Sequence, residues 1–376
     1  MILMLHLQSK RFEMSTFRRH WRFALMRVGL FALALISTRT CLAEDARWSK
    51  EKAWNWYNKV SPIVGCNYLP RTAVNMTEMW QRESFDPTVI DQELGWGRKV
   101  GFNSVRVFLP YVVWKDDPKG LKKRIDRFLE IANRHQIRTM LILFCDCAFA
   151  RKEPYLGRQA APVPGVHNSG WVPSPGLTLV TDRNVWPDLE KYVKDIVGTF
   201  RQDDRVLIWD LYNEPGNSNM ELKSLPLVEA TFAWARQVAP QQPLTVGAWS
   251  NRTDGMSERL VELSDVVSFH AYNRPADMKK KVAHFTSLGR PTICTECLIR
   301  PAGRFEDFLP LFAQHKVSWY NWGLVAGRTQ TYMPWGSKKG TPVPDVWQHD
   351  VLHANGQPYD TKEIELIRNF SKSWKK

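Results

Sequence analysis

The stretch VLIWDLYNEP (residues 206–215) indicates the organisation of the whole chain. Most of its residues are apolar, as expected of a strand that is covered on both faces of a parallel sheet. The run ends in Asn213 and Glu214, and Pro215 follows at once. Glu214 could be an ordinary charge at the start of a helix, where carboxylates are favoured. Alternatively, the strand positions the Asn213 amide and the Glu214 carboxyl group for a function. The remaining sequence distinguishes these two hypotheses.

Seven further apolar runs alternate with amphipathic stretches along the chain. LKKRIDRFLEIANRH (121–135), for example, repeats its apolar residues with the spacing of one helical face. Alternating strands and helices indicate parallel βα units, and eight units in roughly 320 residues favour one closed barrel over a doubly wound sheet. No glycine-rich phosphate loop follows any of the strands. The predicted strands are SPIVGCNY (61–68), FNSVRVFL (102–109), TMLILF (139–144), VLIWDLYN (206–213), PLTVGAW (243–249), DVVSFHAY (265–272), PTICTE (291–296) and VSWYNW (317–322).

Two long loops interrupt the alternation, one after the third predicted strand and one after the eighth. The first, rich in Pro and Gly, is EPYLGRQAAPVPGVHNSGWVPSPG (153–176). It is too long for a plain connection, which predicts a functional role. A loop of this length could close one end of a cleft, giving a pocket for chain ends instead of an open groove. The predicted fold class is therefore α/β, a single (β/α)8 TIM barrel with long loops after strands 3 and 8.

The N-terminal 43 residues have the pattern of a signal peptide, which predicts two segments, 1–43 and a folded domain at 44–376. Several arginines precede the apolar run VGLFALALIS (28–37), which is short for a membrane span. Cys41 and Ala43 then have the spacing that a signal peptidase reads, although translation could equally start at Met14. A lipoprotein anchor at Cys41 is an alternative, which the neighbouring Arg39 disfavours. We expect a secreted or periplasmic protein, with no membrane association after cleavage.

The charge of the chain does not require a polyanionic partner. Residues 1–43 contain seven of the 52 Lys and Arg residues and one of the 38 Asp and Glu residues, so the net charge of the remainder falls from +14 to +8. The basic residues are scattered, apart from KKK (279–281) and the terminal SKSWKK (371–376). Such a distribution is typical of a solvated surface. We expect no nucleic-acid partner, no cofactor and a monomeric protein.

Five cysteines remain after the signal peptide, at positions 66, 145, 147, 294 and 297. The pairs CDC (145–147) and CTEC (294–297) could suggest a zinc site with four thiolates. The C-x-C spacing is atypical of structural zinc, so we predict no metal. Buried thiols, or one disulfide with an odd cysteine left over, are the alternatives for an exported protein.

A closed barrel brings the carboxyl ends of all its strands to one rim, where barrel enzymes carry their chemistry. Two predicted strands end there in carboxyl groups, Glu214 and Glu296. In glycoside hydrolysis one carboxyl group protonates the leaving oxygen, while a second, ionised one attacks the anomeric carbon or activates water. These roles need different pKa values.

The neighbours of the two carboxyl groups suggest which role each one has. Arg106 and Tyr272 could favour the ionised form of Glu296, whereas Glu214 has an amide beside it and no fixed cation. We therefore predict that Glu214 is the general acid/base and Glu296 the nucleophile. The residues predicted to bind substrate are Arg106, Asn213, Trp249, His270, Tyr272 and Trp322.

Together these features resemble the retaining glycoside hydrolases of clan A, most closely family 5. The features are W-D-x-x-N-E-P (209–215), Arg106, His-x-Tyr (270–272), Glu296 and Trp322, and the resemblance spans residues 50–376. It implies a glycoside hydrolase domain in which Asn213 binds the sugar 2-hydroxyl, His270 and Tyr272 line the cleavage subsite, and Trp322 forms its aromatic floor. The chain departs from the family after the third strand, where FCDC (144–147) replaces a frequent histidine.

Several of these residues have simpler explanations. Arg106 could be a structural ion-pair partner, and His270 an ordinary hydrogen-bonded core residue. Most of the 17 tryptophans are expected in the core, although a flat ring also suits the apolar face of a sugar. Asp146 could contact a sugar hydroxyl or cap a loop. In the long loops, the best candidates for further sugar contacts are Trp171, Trp335 and Trp347.

The predicted function is a secreted O-glycosyl hydrolase, a β-glycanase or β-glycosidase that cleaves a plant- or microbe-derived polysaccharide or oligosaccharide by double displacement. Xylan, glucan and mannan backbones all remain open. The alternative is a non-catalytic barrel that holds glycan at the cell surface, but a binder needs no carboxyl group at both strand ends. A metal-dependent hydrolase ranks last, because no strand end carries a His-x-His pair.

Overall fold

A ring of parallel strands forms the centre of the protein. The computed structural model describes residues 47–250 and 254–374. Their strands are β1 (Val64–Asn67), β2 (Ser104–Phe108), β3 (Arg138–Cys145), β4 (Val206–Asn213), β5 (Leu244–Thr245), β6 (Gly247–Ala248), β7 (Val267–Ala271), β8 (Thr292–Cys297) and β9 (Ser318–Trp322). They form one sheet in the order β5-β4-β3-β2-β1-β9-β8-β7-β6, and all paired neighbours are parallel. The predicted (β/α)8 barrel is confirmed.

The predicted fifth strand, 243–249, is divided into β5 and β6. Leu244 in β5 pairs with Trp209 in β4, whereas Gly247 in β6 pairs with Ser268 in β7. One short stretch of chain therefore joins both ends of the sheet and closes the ring. Thr245 Oγ1 donates to the Val266 carbonyl at 2.8 Å, just where the backbone changes its partner strand. The prediction of a single regular strand was wrong because the backbone pairing changes sides within it.

Helices surround the ring, as the alternation in the sequence predicted. The longest, Pro118–Arg134, begins with Asp117 as its N-cap, whose side chain accepts a hydrogen bond from the Gly120 backbone N–H. Proline at the first helical position suits this start, because its missing N–H would have had no helical partner. The predicted apolar face, including Leu121 and Phe128, is buried.

The other helices lie before, between and after the strands along the chain. They are Lys50–Val60, Met76–Trp80, Pro87–Val100, Tyr111–Asp116, Leu177–Thr181, Trp186–Phe200, Leu225–Gln237, Met256–Leu263, Pro275–Ser287, Phe305–Gln314 and Thr361–Trp374, with short 3-10 turns at Arg183–Val185 and Glu221–Ser224. The helix Lys50–Val60 precedes β1 and covers the start of β9, where the Tyr57 hydroxyl shares a 2.7 Å hydrogen bond with Ser318 Oγ.

The residues from Trp48 onward form one compact unit. The predicted signal peptide, 1–43, lies outside the described residues, so this segment and the 44–376 boundary stay predictions. Among the residues that the structure describes, no helix is long and apolar enough to cross a membrane.

Gly65 in β1 leaves room for a tyrosine ring inside the barrel. It pairs with Ser104 on one side and Tyr320 on the other. A Cβ atom at Gly65 would lie 2.5 Å from Tyr320 Cδ1 and 2.6 Å from the Ser104 carbonyl oxygen. The space that glycine leaves allows the Tyr320 hydroxyl to share a 2.8 Å hydrogen bond with Ser104 Oγ. The absence of a side chain at Gly65 therefore permits this contact across the barrel interior.

We predict that Gly65→Ala lowers the free energy of unfolding by about 1–3 kcal/mol, because an inserted methyl group overpacks a filled core. Urea denaturation followed by circular dichroism measures the change. The matched control is Gly198→Ala, in the helix Trp186–Phe200, where the new Cβ would meet Val238 at an ordinary 3.6 Å. The control variant should keep or raise stability, because alanine is a better helix former than glycine. Equal stability of the two variants would contradict the packing argument.

Candidate active site

A cavity of about 560 Å³ opens at the carboxyl ends of the strands. Of the eight residues predicted to act in catalysis or binding, seven line it, and Arg106 lies beside it in contact with Glu296. The closed ring explains this convergence, because it brings the ends of β2, β4, β6, β7, β8 and β9 to one rim. The seven lining residues are Asn213, Glu214, Trp249, His270, Tyr272, Glu296 and Trp322.

Arg106 is fully buried and connects four side chains at the rim. Its guanidinium makes five hydrogen bonds of 2.7–2.9 Å. Burial alone would lower the pKa of Arg106, but the charges of Asp210 and Glu296 raise it overall. A buried guanidinium that is fully paired in this way stays charged and rigid. Its partners are Asn67 on β1, Asp210 and Asn213 on β4, and Glu296 on β8.

Asp210 was missing from the residues predicted at the site. Its Oδ2 accepts from Arg106 Nε at 2.9 Å and from Arg106 Nη2 at 2.7 Å, and the side chain is fully buried. Burial raises the pKa of Asp210, and the charge of Arg106 opposes this rise. The available signal was a single acid inside the apolar run 206–212, since a buried carboxylate requires a partner.

Glu296 is held by two donors. Its Oε1 accepts from Arg106 at 2.7 Å, and its Oε2 accepts from the Tyr272 hydroxyl at 2.7 Å. Burial raises the pKa of Glu296, and the nearby Glu214 adds to the rise, while His270, Arg106 and Tyr272 oppose it. The pKa of Tyr272 is itself raised well above its usual value by burial, so the phenol stays protonated and remains a donor. Both donors favour the carboxylate form of Glu296.

Glu214 has different neighbours, and its backbone is unusual. Its φ is +47°, in the left-handed region that non-glycine residues seldom occupy, which indicates a backbone held by its surroundings. Its Oε1 lies 2.8 Å from His270 Nδ1, and its Oε2 accepts from Asn217 Nδ2 at 2.6 Å and from the Cys147 thiol at 3.2 Å. Burial raises the pKa of Glu214, against the effect of the Cys147 and Asn217 hydrogen bonds. No cation lies in direct contact with it among the described residues, so its neutral, protonated form is the better tolerated one.

His270 lies between the two carboxyl groups. Its Nδ1 is 2.8 Å from Glu214 and 3.5 Å from Glu296. Burial lowers its pKa to about 4, so the ring is neutral near pH 7. Gly247 in β6 provides the space for the ring, because a Cβ atom there would lie 2.7 Å from His270 Nε2. The glycine in the predicted fifth strand thus has a role in the site.

Cys147 and Asn217 are two further contacts of Glu214 that the sequence analysis did not assign. Cys147 lies in the FCDC segment, where the chain departs from the family pattern. Asn213 Nδ2 donates to the sulfur atoms of Cys145 at 3.3 Å and Cys147 at 3.5 Å. The neighbouring Cys145 and burial raise the pKa of Cys147, so its thiol stays protonated and can donate to Glu214. Cys147 therefore provides a hydrogen-bond donor beside Glu214.

In the described part of the chain the cysteines do not come together as the four-thiolate group that the sequence analysis considered and disfavoured. Positions 66, 145, 147, 294 and 297 are all buried free thiols, so the disulfide alternative is wrong for them as well. Within the described ranges, the group close enough to share a metal ion consists of Glu214, His270 and Glu296. A cation among them would compete with Arg106, which already lies 2.7 Å from Glu296. Because Arg106 already pairs with Glu296, these three residues fit a pair of carboxyl groups with a histidine between them better than a metal centre.

Asp146 caps a loop and does not line the cavity. Its carboxylate accepts from Tyr212 Oη at 2.5 Å, from Ser224 Oγ at 2.5 Å and from the Gly216 backbone N–H at 2.7 Å. Of the two alternatives open for Asp146, the structure supports the loop cap. These contacts fix the turn that follows Glu214.

Aromatic rings surround the carboxyl groups. Trp322 lines the cavity, and Trp171 packs edge-on against it with 5.8 Å between the ring centroids. Trp335 also lines the cavity and packs against Tyr272 at 5.1 Å. Trp249 donates through Nε1 to the Pro215 carbonyl at 2.9 Å, next to Glu214. Trp347, the remaining loop candidate, instead stacks on Tyr359 outside the cavity.

The sequence matches the family model described as cellulase (glycosyl hydrolase family 5) over residues 72–326, which is more than half of the chain. The match includes Arg106, Asn213, Glu214, Glu296 and Trp322. Among curated proteins, no sequence matches this chain.

Solved structures of glycoside hydrolases resemble the fold at low sequence identity. An endo-β-1,4-mannanase from Thermotoga petrophila is 16% identical, with a TM-score of 0.55 over 83% of this chain and 77% of its own. An exo-β-1,4-mannosidase from Opitutaceae bacterium strain TAV5 is 15% identical, with a TM-score of 0.58 over 84% of this chain and 60% of its own. An endo-1,4-β-mannanase from Rhizomucor miehei is 13% identical, with a TM-score of 0.55 over 83% and 98%. At such identities the likeness shows the shared barrel.

We predict that the His270 ring stays neutral between about pH 8 and about pH 5, where an ordinary histidine takes up a proton. Burial that lowers the pKa of His270 to about 4 is the cause. Because the unfolded chain binds this proton more readily, His270 reduces the free energy of unfolding as the pH falls from about 6.5 towards 4. Nitrogen-15 NMR of the histidine rings measures the titration, and the His270→Gln variant identifies the signal. A midpoint near pH 6.5 would contradict the prediction.

Proposed function

The chain belongs to glycosyl hydrolase family 5 and is an O-glycosyl hydrolase, and we propose that it cleaves β-glycosidic bonds with retention of configuration. In this proposal Glu296 is the nucleophile and Glu214 the general acid/base. Arg106, Asn213, Trp249, His270, Tyr272 and Trp322 bind the sugar or hold the two carboxyl groups.

The distance between the two carboxyl groups is the observation that carries the proposal. An oxygen of Glu214 and an oxygen of Glu296 lie within 4.8 Å of each other. Retaining glycosidases separate their carboxyl groups by roughly 5–5.5 Å, whereas inverting ones need roughly 6.5–9.5 Å to admit a water molecule between acid and base. The short separation therefore supports direct attack by one carboxylate.

The first step forms a covalent intermediate. The Glu296 carboxylate attacks the anomeric carbon while Glu214 gives its proton to the glycosidic oxygen, and the bond between that carbon and oxygen breaks. The two environments support this division. Glu296 has a guanidinium and a phenol that favour its charge, while Glu214 is buried without a fixed cation. Neutral His270 separates the two groups without adding a charge.

The second step releases the sugar. Glu214, now ionised, removes a proton from a water molecule, which attacks the anomeric carbon and displaces Glu296. The Cys147 thiol and the Asn217 amide both donate to Glu214 Oε2 and therefore stabilise its charged form at this stage. The same contacts orient the carboxyl group throughout the cycle.

The proposed substrate is a β-linked polysaccharide or oligosaccharide of plant or microbial origin, met outside the cell. The apolar faces of Trp322, Trp249 and Trp335 in the cavity suit sugar rings. The structural relatives described above are named for β-1,4-mannan chemistry, so a substrate panel should place mannans beside xylan and β-glucans. The signal-like pattern of residues 1–43 supports a secreted or periplasmic enzyme.

The non-catalytic binding barrel fits the site less well. A binder needs no second buried carboxyl group within 4.8 Å of the first. Two carboxyl groups this close repel each other when both are ionised, which makes their burial less favourable without adding a sugar contact. A polysaccharide panel distinguishes the two: an enzyme releases reducing ends, and a binder shows glycan affinity alone.

We predict that Glu296→Ala reduces kcat on the order of 10⁴-fold or more, because it removes the nucleophile. Added azide should restore turnover and give a glycosyl azide of inverted anomeric configuration, since azide fills the space of the lost carboxylate. Proton NMR of the product determines the configuration. The control is Glu258→Ala, an exposed helical glutamate, which should keep full activity. Wild-type activity of Glu296→Ala would refute the retaining assignment.

We predict that Glu214→Ala slows glycosides with poor leaving groups by about 10²–10⁴-fold, the usual contribution of a general acid. Dinitrophenyl glycosides should be affected far less in the first step, because their leaving group needs no proton. The burst of released phenol measures that step separately from the second. An equal loss for all leaving groups would contradict the acid role of Glu214.

A further inference from the structure

We propose that this hydrolase acts on chain ends and releases one sugar at a time from the non-reducing end. The inference rests on the proposed function, because it uses the roles of Glu214 and Trp322 to orient the substrate. Its structural basis is a pair of interlocked segments, residues 163–171 after β3 and 329–340 after β9. We call these two segments the clasp.

Gln330 is the centre of the clasp. Its Oε1 accepts from the Gly165 backbone N–H at 2.8 Å, and its Nε2 donates to the carbonyls of Val163 at 2.8 Å and Val166 at 3.3 Å. The Gln330 side chain is largely buried, at 9% exposure. One amide thus satisfies three backbone groups of the other loop, which fixes the two loops together.

Further hydrogen bonds run along the clasp. The His167 backbone N–H donates to Ser337 Oγ at 2.9 Å, and the His167 ring nitrogen Nδ1 lies 2.7 Å from the Met333 carbonyl. The backbone N–H of Asn168 donates to the carbonyl of Thr329 at 2.8 Å. Contacts at several points make the clasp a fixed wall of the cavity.

The two loops approach each other too closely for a side chain at Gly165. Its φ is +78°, and a Cβ atom there would lie 2.4 Å from the Thr341 carbonyl oxygen. Glycine therefore permits both the backbone conformation and the contact. The close contact within the clasp therefore requires glycine at position 165.

The clasp encloses the side of the cavity where the cleaved sugar would lie. Trp171 in the clasp packs edge-on against Trp322, the proposed floor of the cleavage subsite, at 5.8 Å. At the base of this wall Asn168, Trp171 and His349 line the cavity and are no more than 2% exposed, whereas Trp335 at its outer edge is 52% exposed. A second sugar beyond the first would have to occupy the volume of this wall.

The part of the cavity near Glu214 is partly open. Asn217, Trp249, Asn273 and Lys281 line it, and all four are partly exposed. Two of them lie beside the general acid: Asn217 donates to Glu214, and Trp249 donates to Pro215. The leaving group must lie at Glu214 to receive its proton, so the remainder of the sugar chain extends this way.

An enzyme that cleaves within a chain needs space for sugars on both sides of the scissile bond. Here the side of the cleaved sugar is closed at its base and the side of the leaving group is partly open. The arrangement accepts the non-reducing end of a chain, and the cavity of about 560 Å³ has the size of a small-ligand pocket, roughly 300–1,000 Å³. The geometry therefore points to release of monosaccharide.

The test uses manno-, xylo- and gluco-oligosaccharides labelled at the reducing end, with the full-length wild-type protein. We expect the early products to be unlabelled monosaccharide and a labelled chain shorter by one unit. Chains whose terminal non-reducing sugar carries a bulky substituent should resist cleavage, and the viscosity of the corresponding polysaccharide should fall slowly. Early products from the middle of the chain, or a rapid fall in viscosity, would overturn the inference.

Aryl β-glycosides of the same sugars separate this inference from the proposed function. Hydrolysis of aryl glycosides together with internal cleavage of oligosaccharides would remove the chain-end inference and leave the proposed function intact. No hydrolysis of any aryl glycoside or oligosaccharide would count against the proposed function itself.

Loosening the clasp should change the product pattern. We expect Gln330→Ala to release disaccharide as well as monosaccharide, and to weaken monosaccharide inhibition by about tenfold, the factor that corresponds to about 1.4 kcal/mol. The matched control is Gln357→Ala, an exposed glutamine of the same loop, which should keep the wild-type pattern. Ser337→Ala is a second, milder variant, should Gln330→Ala fail to fold. Folded clasp variants with unchanged products would contradict the role of the clasp.

Discussion

The buried guanidinium of Arg106 is the interaction on which the rest of the site depends. A buried charge is tolerated only when hydrogen bonds and opposite charges compensate it, and removal of one partner leaves it uncompensated. Arg106 meets this condition with acceptors from β1, β4 and β8. Because these strands lie around the ring, the pairing requires that the barrel be closed and in register. The positions of Asn213 and Glu296 follow from it.

The two carboxyl groups have different surroundings within one cavity, and the roles proposed for them rest on this difference. Burial raises the pKa of both Glu214 and Glu296, so exclusion of solvent alone does not distinguish the two carboxyl groups. The distinction comes from the donors: Glu296 has a permanent cation at 2.7 Å, while Glu214 has a thiol, an amide and a histidine. A guanidinium keeps its charge at every relevant pH, which makes Glu296 the more readily ionised of the two. The neutral ring of His270 occupies the space between them.

The strands and the loops serve separate purposes in this protein. The strand ends provide the two carboxyl groups and their partners. The closed ring holds these side chains close to one another at one rim. In the proposed function the loops after β3 and β9 limit how much of a sugar chain can enter, because they meet through Gln330 and His167 beside the cavity. On this proposal, chemistry and substrate selection can change independently, since different segments of the chain would determine each.

The sequence by itself determined the barrel, the shared rim and the residues Glu214, Glu296 and Arg106, because hydrophobic periodicity and strand ends are local properties of a chain. Only the tertiary structure decided that Asp210 pairs with Arg106, that Cys147 and Asn217 contact Glu214, and that the fifth strand divides at its change of partner. It also joined Gly165 to Gln330 across 165 positions of sequence. Such contacts depend on the register between strands and on loop backbones like the left-handed one at Glu214, and no local pattern encodes either.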